Sequence, residues 1–312
     1  MNLPFYSADD VHDTISMPEA IEAMRTAFIA LSDGSAIVPN RINLPMADKN
    51  ALHLSMPAYI NGGKYNTIKL VNVNFDNPHK GLPLINGVIL VMDAVEGSPL
   101  ALVEGNSVTA LRTGAGSGLA TDILAKTNSK KSVIFGTGVQ AKTQIEAIRS
   151  VRDLDSIKVI GSSEEKTALF CDLFDEVVQS GKMDDLKKAD IICTATTGKT
   201  PLFDFEDVNP GVHVNAIGAH KPDTRELGTR LIQKAKVFID QLSSSKNEAG
   251  DIIIPINEGQ YAWNQIEGEL GNLISGKIPG RISEIDITIF NSIGNAVQDL
   301  VIAALLIGKN PK

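Results

Sequence analysis

The chain has 312 residues, of which 43% are hydrophobic and 21% charged, a composition typical of a globular protein with room for two domains. Its 29 Lys and Arg residues are outnumbered by 37 Asp and Glu residues, and no basic run could follow a phosphate backbone, so nucleic acid is not an expected partner. The most apolar stretch, at 301–308, is too short to cross a membrane. Because the N-terminus lacks a signal-peptide pattern and the two cysteines fit neither a disulfide framework nor a metal site, we expect a cytoplasmic protein without a metal.

The first third of the chain predicts a helix followed by a β region. Ser16 and Glu19 form a capping-box pattern, and the apolar stripe that follows ends before Gly34. From 37 to about 104, short apolar runs broken by Gly, Pro and Asn indicate mostly antiparallel strands. A long helix from near Ser107 then links two domains.

The rest of the chain alternates between strand and helix patterns. Strands are predicted at 132–135, 157–160, 176–178, 191–194, 212–217 and 237–239, with helices from about Gln140 and Ser163. This alternation is typical of an α/β fold with a Rossmann-type, doubly wound parallel sheet. A closing amphipathic helix is predicted to carry Ile289, Ile293, Val297, Leu300, Val301, Ala304 and Leu305 on its apolar side.

The most informative motif is a glycine-rich turn between a strand and a helix. Gly136-Thr137-Gly138-Val139-Gln140-Ala141 follows the apolar run Val133–Phe135, which is the context that a dinucleotide fingerprint requires. Glycines there allow a tight turn and a close approach of the backbone to a pyrophosphate. Gly136, Gly138, Val139 and Gln140 are therefore cofactor-binding candidates, and the alternative is an ordinary Gly-rich turn.

Two further strand ends bear on the cofactor. The second strand runs into Gly161-Ser162-Ser163 without a carboxylate that would repel a 2′-phosphate, so NADPH or NADH is expected, with a lean towards NADPH. Thr194, Ala195 and Thr196 end a later strand, and Ile217 and Gly218 end the next one. These residues are expected to line the dinucleotide, although polar strand tips of no functional importance would give the same pattern.

Three cations upstream of the glycine-rich turn lie in apolar or Gly/Pro-rich surroundings. Arg41, Lys69 and Arg112 would be costly to bury unless they were paired, and the carboxylate of a substrate would pair them. The alternative is that each side chain covers apolar surface while its charge stays in water.

At this point the chain resembles the ornithine cyclodeaminase and mu-crystallin family. The resemblance rests on four segments, Thr109–Ala115, Gly136–Ala141, Asn215–Leu227 and Phe290–Asp299, which occur in the family's order. It implies a homodimer with a substrate-binding and dimerisation domain at 1–115, completed by 296–312, and a dinucleotide-binding domain at 116–295. It also implies that Arg41, Lys69 and Arg112 surround the substrate, and that Thr113, Gly138, Gln140 and Ser292 contact the dinucleotide.

One departure from the family pattern bears on the reaction. Where cyclodeaminases carry a catalytic Asp, this chain has His220, whose imidazole is not a permanent anion. The resemblance therefore favours a ketimine reductase that takes 1-pyrroline-2-carboxylate to L-proline, with 1-piperideine-2-carboxylate giving L-pipecolate as a second reaction. Lys69 and His220 are the catalytic candidates, and the pKa of Lys69 is expected to be lowered by the two arginines. His220 could instead be a polar residue at the rim of a cleft.

Three other functions stay open from the sequence. They are NAD-dependent ornithine cyclodeaminase, alanine dehydrogenase, and a non-catalytic NADPH-binding protein similar to mu-crystallin. Asp223 and Glu226 are expected to be structural, because a Pro-Asp turn leading into a helix explains both.

Overall fold

The structure is a computed structural model that describes residues 2–312, apart from the side chain of Pro78. The chain divides into two compact units, one up to Arg112 together with Asn295–Lys312 and the other at Thr113–Gly294. These bounds lie within three residues of the expected 115 and 296. Substrate binding, dimerisation and dinucleotide binding remain predictions for the two units.

The first unit is a sheet covered by helices. Its strands are β1 (Phe5–Tyr6), β2 (Ala36–Ile37), β3 (Ile42–Met46), β4 (Ala51–Ile60), β5 (Tyr65–Asn74), β6 (Ile85–Asp93) and β7 (Pro99–Glu104). Their order is β1-β7-β6-β5-β4-β2, with β3 also paired to β4, and every pair except β1–β7 is antiparallel. This confirms the predicted antiparallel region.

The helices of the first unit are α1 (Ala8–Thr14), α2 (Met17–Asp33) and, at the end of the chain, α10 (Ala296–Lys309). Helix α2 begins as predicted, since the Glu19 carboxylate accepts hydrogen bonds from Ser16 N at 3.0 Å and Ser16 Oγ at 2.7 Å. It ends at Asp33, and the C-cap residue Gly34 has a φ of 80°, in the left-handed region. Helix α10 packs on α2 and on β4, β5 and β6, so it covers the inner face of the sheet.

Helix α3 (Gly105–Leu124) begins two residues before the predicted start. The division between the two units falls inside it, after Arg112. Its first two turns therefore belong to the first unit and the remainder to the second.

The second unit is a parallel sheet with helices between its strands. Its strands are β8 (Lys131–Phe135), β9 (Ser156–Ile160), β10 (Val178–Ser180), β11 (Ile191–Thr194), β12 (His213–Ala216), β13 (Lys236–Ile239), β14 (Gly268–Glu269) and β15 (Thr288–Asn291). Its helices are α4 (Val139–Val151), α5 (Glu164–Cys171), α6 (Thr229–Lys234), α7 (Leu242–Glu248), α8 (Gly250–Asn257) and α9 (Leu270–Ile274). The order β10-β9-β8-β11-β12-β15-β13-β14 is parallel throughout, which confirms the Rossmann-type fold.

Both faces of this sheet are buried. Val133 and Phe135 of β8 belong to one apolar cluster, while Ile134 between them belongs to another that includes Ile145 and Ile148 of α4. Adjacent residues of a strand point to opposite faces, so helices must cover both sides. Because both faces are buried, the strands of this sheet are near-continuous apolar runs.

The predicted closing helix is wrong at its start. Ile289 lies in β15, between β12 and β13, and Ile293 lies in the segment that connects β15 to α10, so α10 begins only at Ala296. Ile289 and Ile293 are four residues apart and imitate a helical face, but Ile289 pairs in the sheet. Asn295 caps the true helix, in a capping box with Gln298.

Candidate functional site

Two of the predicted substrate-binding cations meet a buried carboxylate in the first unit. Lys69 Nζ lies 2.7 Å from Asp299 Oδ2, and Arg112 Nε donates to Asp299 Oδ1 at 3.2 Å. The side chains of Lys69, Arg112 and Asp299 are only 4%, 8% and 1% exposed. The alternative in which these cations keep their charge in water is therefore wrong for Lys69 and Arg112.

Strand and helix geometry bring these three groups together. Lys69 is on β5 opposite Met56 of β4 and Ile89 of β6, both buried, so its side chain enters the apolar side of the sheet. Its ammonium donates to Thr109 Oγ1 at 3.2 Å, one turn before Arg112 on α3. The position of Lys69 is thus fixed by two elements besides its own strand.

The start of α10 supplies the acceptors for Arg112. Gln298 Oε1 accepts from Asn295 N at 2.8 Å, as part of the helix cap, and from Arg112 Nη1 at 3.0 Å. Asp299 follows in the first turn, where the helix dipole favours a negative charge. The same turn therefore caps the helix and holds the arginine.

Arg41 completes the cation cluster. It is half-buried, in the segment before β3, and its charge acts on Lys69. The structure thus brings together all three predicted substrate-binding residues within the first unit.

The pKa of Lys69 is lowered to about 8, and burial is the largest cause. The negative charge of Asp299 opposes this shift, while the charges of Arg112 and Arg41 add to it. The expected lowering of the pKa is confirmed and both arginines contribute to it, but burial is the larger cause, because removing the ammonium from water costs more than its repulsion by the two guanidinium groups.

Sequence reasoning missed Asp299 as the counter-ion of the cluster. An acidic residue between the apolar positions Val297, Leu300 and Val301 of a helix was the available signal, because a carboxylate on a buried helical face requires a partner. Among residues 2–312, Asp299 is the carboxylate that pairs with Lys69 and Arg112, so these three buried side chains keep a net positive charge. An anionic group of a ligand would offset that charge.

In the second unit, the glycine-rich turn has the geometry of a dinucleotide site. Gly136 has φ of +111°, and a Cβ there would lie 2.5 Å from Ala195 O. Gly138 is the N-cap residue of α4, a Cβ there would meet nothing within 4 Å, and Val139 beside it is 68% exposed. An open helix N-terminus that follows a buried parallel strand fits the pyrophosphate of a nicotinamide dinucleotide.

Glu226 organises two of the predicted cofactor-binding strand ends. Its Oε2 accepts from Thr194 Oγ1 at 2.6 Å and from Gly218 N at 2.9 Å, and its Oε1 accepts from Thr196 N at 2.8 Å and Thr196 Oγ1 at 2.7 Å. The hydroxyls of both threonines therefore point to this buried carboxylate. Glu226 is structural as expected, but the predicted reason is wrong, since helix α6 begins only at Thr229.

A second buried carboxylate, Asp251, supports the segment that carries Glu226. Its Oδ1 accepts from Glu226 N at 2.7 Å and Leu227 N at 2.9 Å, and its Oδ2 accepts from Asn291 Nδ2 at 3.0 Å. Burial, followed by the charge of Glu226, raises the pKa of Asp251 to about 7.

Ser292 and Ser163 have local partners. Ser292 Oγ donates to buried Asp240 at 3.3 Å, and the same carboxylate accepts from the backbone N–H groups of Ile293 and Gly294. Ser163 caps α5 by accepting from Lys166 N.

The remaining candidates of the second unit differ in exposure. Ser162 and His220 are exposed, Thr113, Gln140 and Ala195 are half-buried, and Ile217 is buried. His220 Nδ1 lies 3.0 Å from Gly218 O, which places the imidazole beside the strand end that Glu226 holds. Within residues 2–312, no helix is long and apolar enough to span a membrane, and no cluster of three or more His, Cys, Asp or Glu side chains could hold a metal.

A Rossmann-type sheet with this turn, together with a buried cluster that has a net positive charge, defines a nicotinamide-dependent oxidoreductase. The family model of the ornithine cyclodeaminase/mu-crystallin family matches residues 3–310. The chain belongs to this family, which confirms the prediction from its motifs.

Similar proteins narrow the chemistry. The chain is 39% identical over 307 residues to a Delta(1)-pyrroline-2-carboxylate reductase of Bacillus cereus, covering 96% of this chain and 94% of the relative. It is also similar to the solved Delta(1)-pyrroline-2-carboxylate reductase of Thermococcus litoralis in complex with NADH and L-proline, with 35% identity, a TM-score of 0.92, and 98% and 97% of the two chains covered. An archaeal alanine dehydrogenase dimer with bound NAD has 31% identity and a TM-score of 0.92, with 99% and 96% covered.

Proposed function

We propose that this protein reduces 1-pyrroline-2-carboxylate to L-proline with NADH or NADPH, and 1-piperideine-2-carboxylate to L-pipecolate as a second reaction. The observation that carries the proposal is the buried cluster of Lys69, Arg112 and Asp299, whose net charge is positive. The Bacillus cereus and Thermococcus litoralis reductases support the choice of substrate.

The cations of the first unit bind the substrate carboxylate. Arg112 presents a planar guanidinium that suits a carboxylate, and Arg41 adds a second one. Because Asp299 neutralises only one of the buried charges, the substrate anion offsets the excess. This charge requirement selects an imino acid over an uncharged imine.

Reduction of a C=N bond adds a hydride to carbon and a proton to nitrogen. The reduced nicotinamide, when bound, supplies the hydride. The Lys69 ammonium supplies the proton and regains one from solvent after turnover. Its pKa of about 8 suits this task, because a proton donor works best when its pKa lies near the operating pH. His220 is the second candidate for protonating or stabilising the imine.

The second unit binds the dinucleotide. We assign the pyrophosphate to the turn of Gly136, Gly138, Val139 and Gln140. Thr194, Ala195, Thr196, Ile217 and Gly218 line it at the neighbouring strand ends, and Thr113 and Ser292 complete the contacts. Ser162 and Ser163 face the ribose without a carboxylate to repel a 2′-phosphate, so NADPH is favoured over NADH.

The working form is a homodimer in the cytoplasm. Ile42 and Leu44 of β3 are 63% and 55% exposed, and they share the face of the sheet opposite to Lys69. A second copy would cover these apolar side chains. The archaeal alanine dehydrogenase, which is a dimer, supports a two-chain form. The free thiols of Cys171 and Cys193 suit a reducing compartment.

The test is oxidation of NADH and of NADPH by purified protein with 1-pyrroline-2-carboxylate, with L-proline identified as product. Parallel reactions with pyruvate plus ammonia, and ammonia release from L-ornithine with NAD, cover the dehydrogenase and cyclodeaminase alternatives. We expect the imine to be the best substrate by kcat/KM. Faster turnover of pyruvate with ammonia, or of L-ornithine, would contradict the proposal in favour of the dehydrogenase or the cyclodeaminase. Dinucleotide binding without any turnover would favour the non-catalytic alternative.

A further inference from the structure

Lys69 is held by a carboxylate that belongs to the protein. Asp299 gives one oxygen to Lys69 and the other to Arg112, and all three side chains are less than a tenth exposed. An incoming substrate carboxylate therefore finds Lys69 already paired. Arg112 also bonds to Asp299, but its guanidinium has five N–H donors, so it can hold Asp299 through Nε and Gln298 through Nη1 and still bind a substrate carboxylate.

The groups that act on Lys69 come from three neighbouring elements. Helix α10 contributes Asp299, helix α3 contributes Arg112 and the hydroxyl of Thr109, and the segment before β3 contributes Arg41. Of these groups, Asp299 is the one whose charge favours the ammonium form. Burial and both arginines favour the neutral amine.

We propose that Asp299 is a positioning residue for imine reduction, one that keeps the Lys69 side chain protonated and aimed and leaves the arginines to bind the substrate carboxylate. The inference rests on the proposed function. It extends that function by assigning separate parts to the anion and the two guanidinium groups of one buried cluster.

The charge of Asp299 affects ligand binding and turnover differently, which would not be so if Asp299 only stabilised the fold. Replacing Asp299 by Asn removes one negative charge and keeps the shape of the side chain. The cluster then attracts a carboxylate ligand at least as strongly as before, while Lys69 loses its proton at lower pH. Ligand binding and turnover should therefore change in opposite directions, whereas damage to the fold would weaken both.

The experiment compares wild-type protein, Asp299→Asn and Asp299→Glu. Turnover of 1-pyrroline-2-carboxylate is followed from pH 6 to 10, and the Kd of pyrrole-2-carboxylate, a planar analogue that cannot be reduced, is measured at pH 6.5 with NADH present. Asp286→Asn is the matched control, because Asp286 also pairs with a lysine, Lys236 at 3.0 Å, in the part of the second unit that we assign no role.

For Asp299→Asn we expect the basic limb of the pH profile of kcat/KM to move down by about one pH unit or more, and kcat at pH 8.5 to fall by about eightfold or more. The analogue should bind equally well or more tightly. Asp299→Glu keeps the negative charge, so its basic limb should stay close to that of the wild type even if kcat falls. Asp286→Asn should leave kcat, the basic limb and the Kd unchanged.

Three results would overturn the inference. The first is a basic limb of kcat/KM that does not move in Asp299→Asn, and the second is analogue binding that weakens together with turnover in that variant. The third is a basic limb in Asp299→Glu that is displaced as far as in Asp299→Asn. If Asp299→Asn does not fold, Asp299→Glu provides the test. A basic limb of its kcat/KM profile that is clearly displaced from the wild-type position would overturn the inference. If the wild-type protein does not reduce the imine, the proposed function fails, and the analogue Kd of Asp299→Asn still tests the charge effect.

Discussion

Glu226 lies 32 residues beyond Thr194 in the chain, yet its Oε2 accepts a 2.6 Å hydrogen bond from Thr194 Oγ1. The other oxygen accepts from both the backbone and the hydroxyl of Thr196. One carboxylate thus fixes the end of β11, where we place part of the dinucleotide. Counting the bond from Gly218 N, its four acceptor bonds tie the ends of β11 and β12 to one side chain.

We predict that Glu226→Gln weakens dinucleotide binding. The amide turns one acceptor into a donor that faces donors, and a buried hydrogen bond lost in this way costs about 1–3 kcal/mol. The Kd of NADH, measured by fluorescence without substrate, should rise about tenfold or more. Glu206 is exposed, so Glu206→Gln is the matched control and should leave the Kd of NADH unchanged. An unaltered Kd of NADH in Glu226→Gln would show that the hydrogen bonds of Glu226 do not contribute to cofactor binding.

Lys69→Met should abolish most imine turnover and leave NADH affinity within about twofold of the wild type. The substitution removes the proposed proton source, and loss of general acid catalysis typically costs about 100-fold or more. It also leaves Asp299 with Arg112 as its cation. Steady-state kinetics and NADH titration measure the two effects. Full turnover in this variant would exclude Lys69 as the proton donor.

Gly136→Ala should destabilise the protein and weaken dinucleotide binding. The residue has φ of +111°, and the new Cβ would lie 2.5 Å from Ala195 O. We expect a lower Tm and a raised Kd for NADH. Gly308→Ala in α10, where a Cβ meets nothing within 4 Å, provides the control and should not lower Tm. Equal Tm and Kd in Gly136→Ala and wild type would contradict the structure of this turn.

The pKa of Asp251 makes stability depend on pH in a defined direction. Its pKa rises from 3.8, the ordinary value of a free aspartate side chain, to about 7 in the folded protein, so the folded state binds the proton more tightly. This contribution is fully present below about pH 4 and is lost as the pH rises through about 7.

Asp251→Asn tests this pH dependence. Its amide can pair with the Asn291 side chain, whose buried Oδ1 lacks a hydrogen-bond partner among residues 2–312. The Tm of the variant, measured by calorimetry between pH 4 and 7, should fall less steeply with pH than that of the wild type. Parallel Tm profiles would show that Asp251 does not titrate in this window.

Local sequence patterns correctly predicted those strands and helices whose conformation depends mainly on residues close to them in the chain. The strand at 191–194 and the helix after Gly138 were found because apolar runs and glycine turns depend on neighbours in sequence. The start of α10 was misplaced because Ile289 and Ile293 have helical spacing. Pairing with β12 and β13, which decides the conformation of Ile289, involves residues about 50 to 75 positions away.

The sequence by itself determined the family, the Rossmann-type sheet and the three cations Arg41, Lys69 and Arg112, because motifs and residue types are local properties. Only the tertiary structure decided that Asp299, 187 residues after Arg112, is their internal counter-ion, and that burial more than repulsion lowers the pKa of Lys69. Charge pairing and desolvation depend on distances in space. Those distances are set when α10 packs on the inner face of the sheet that carries Lys69.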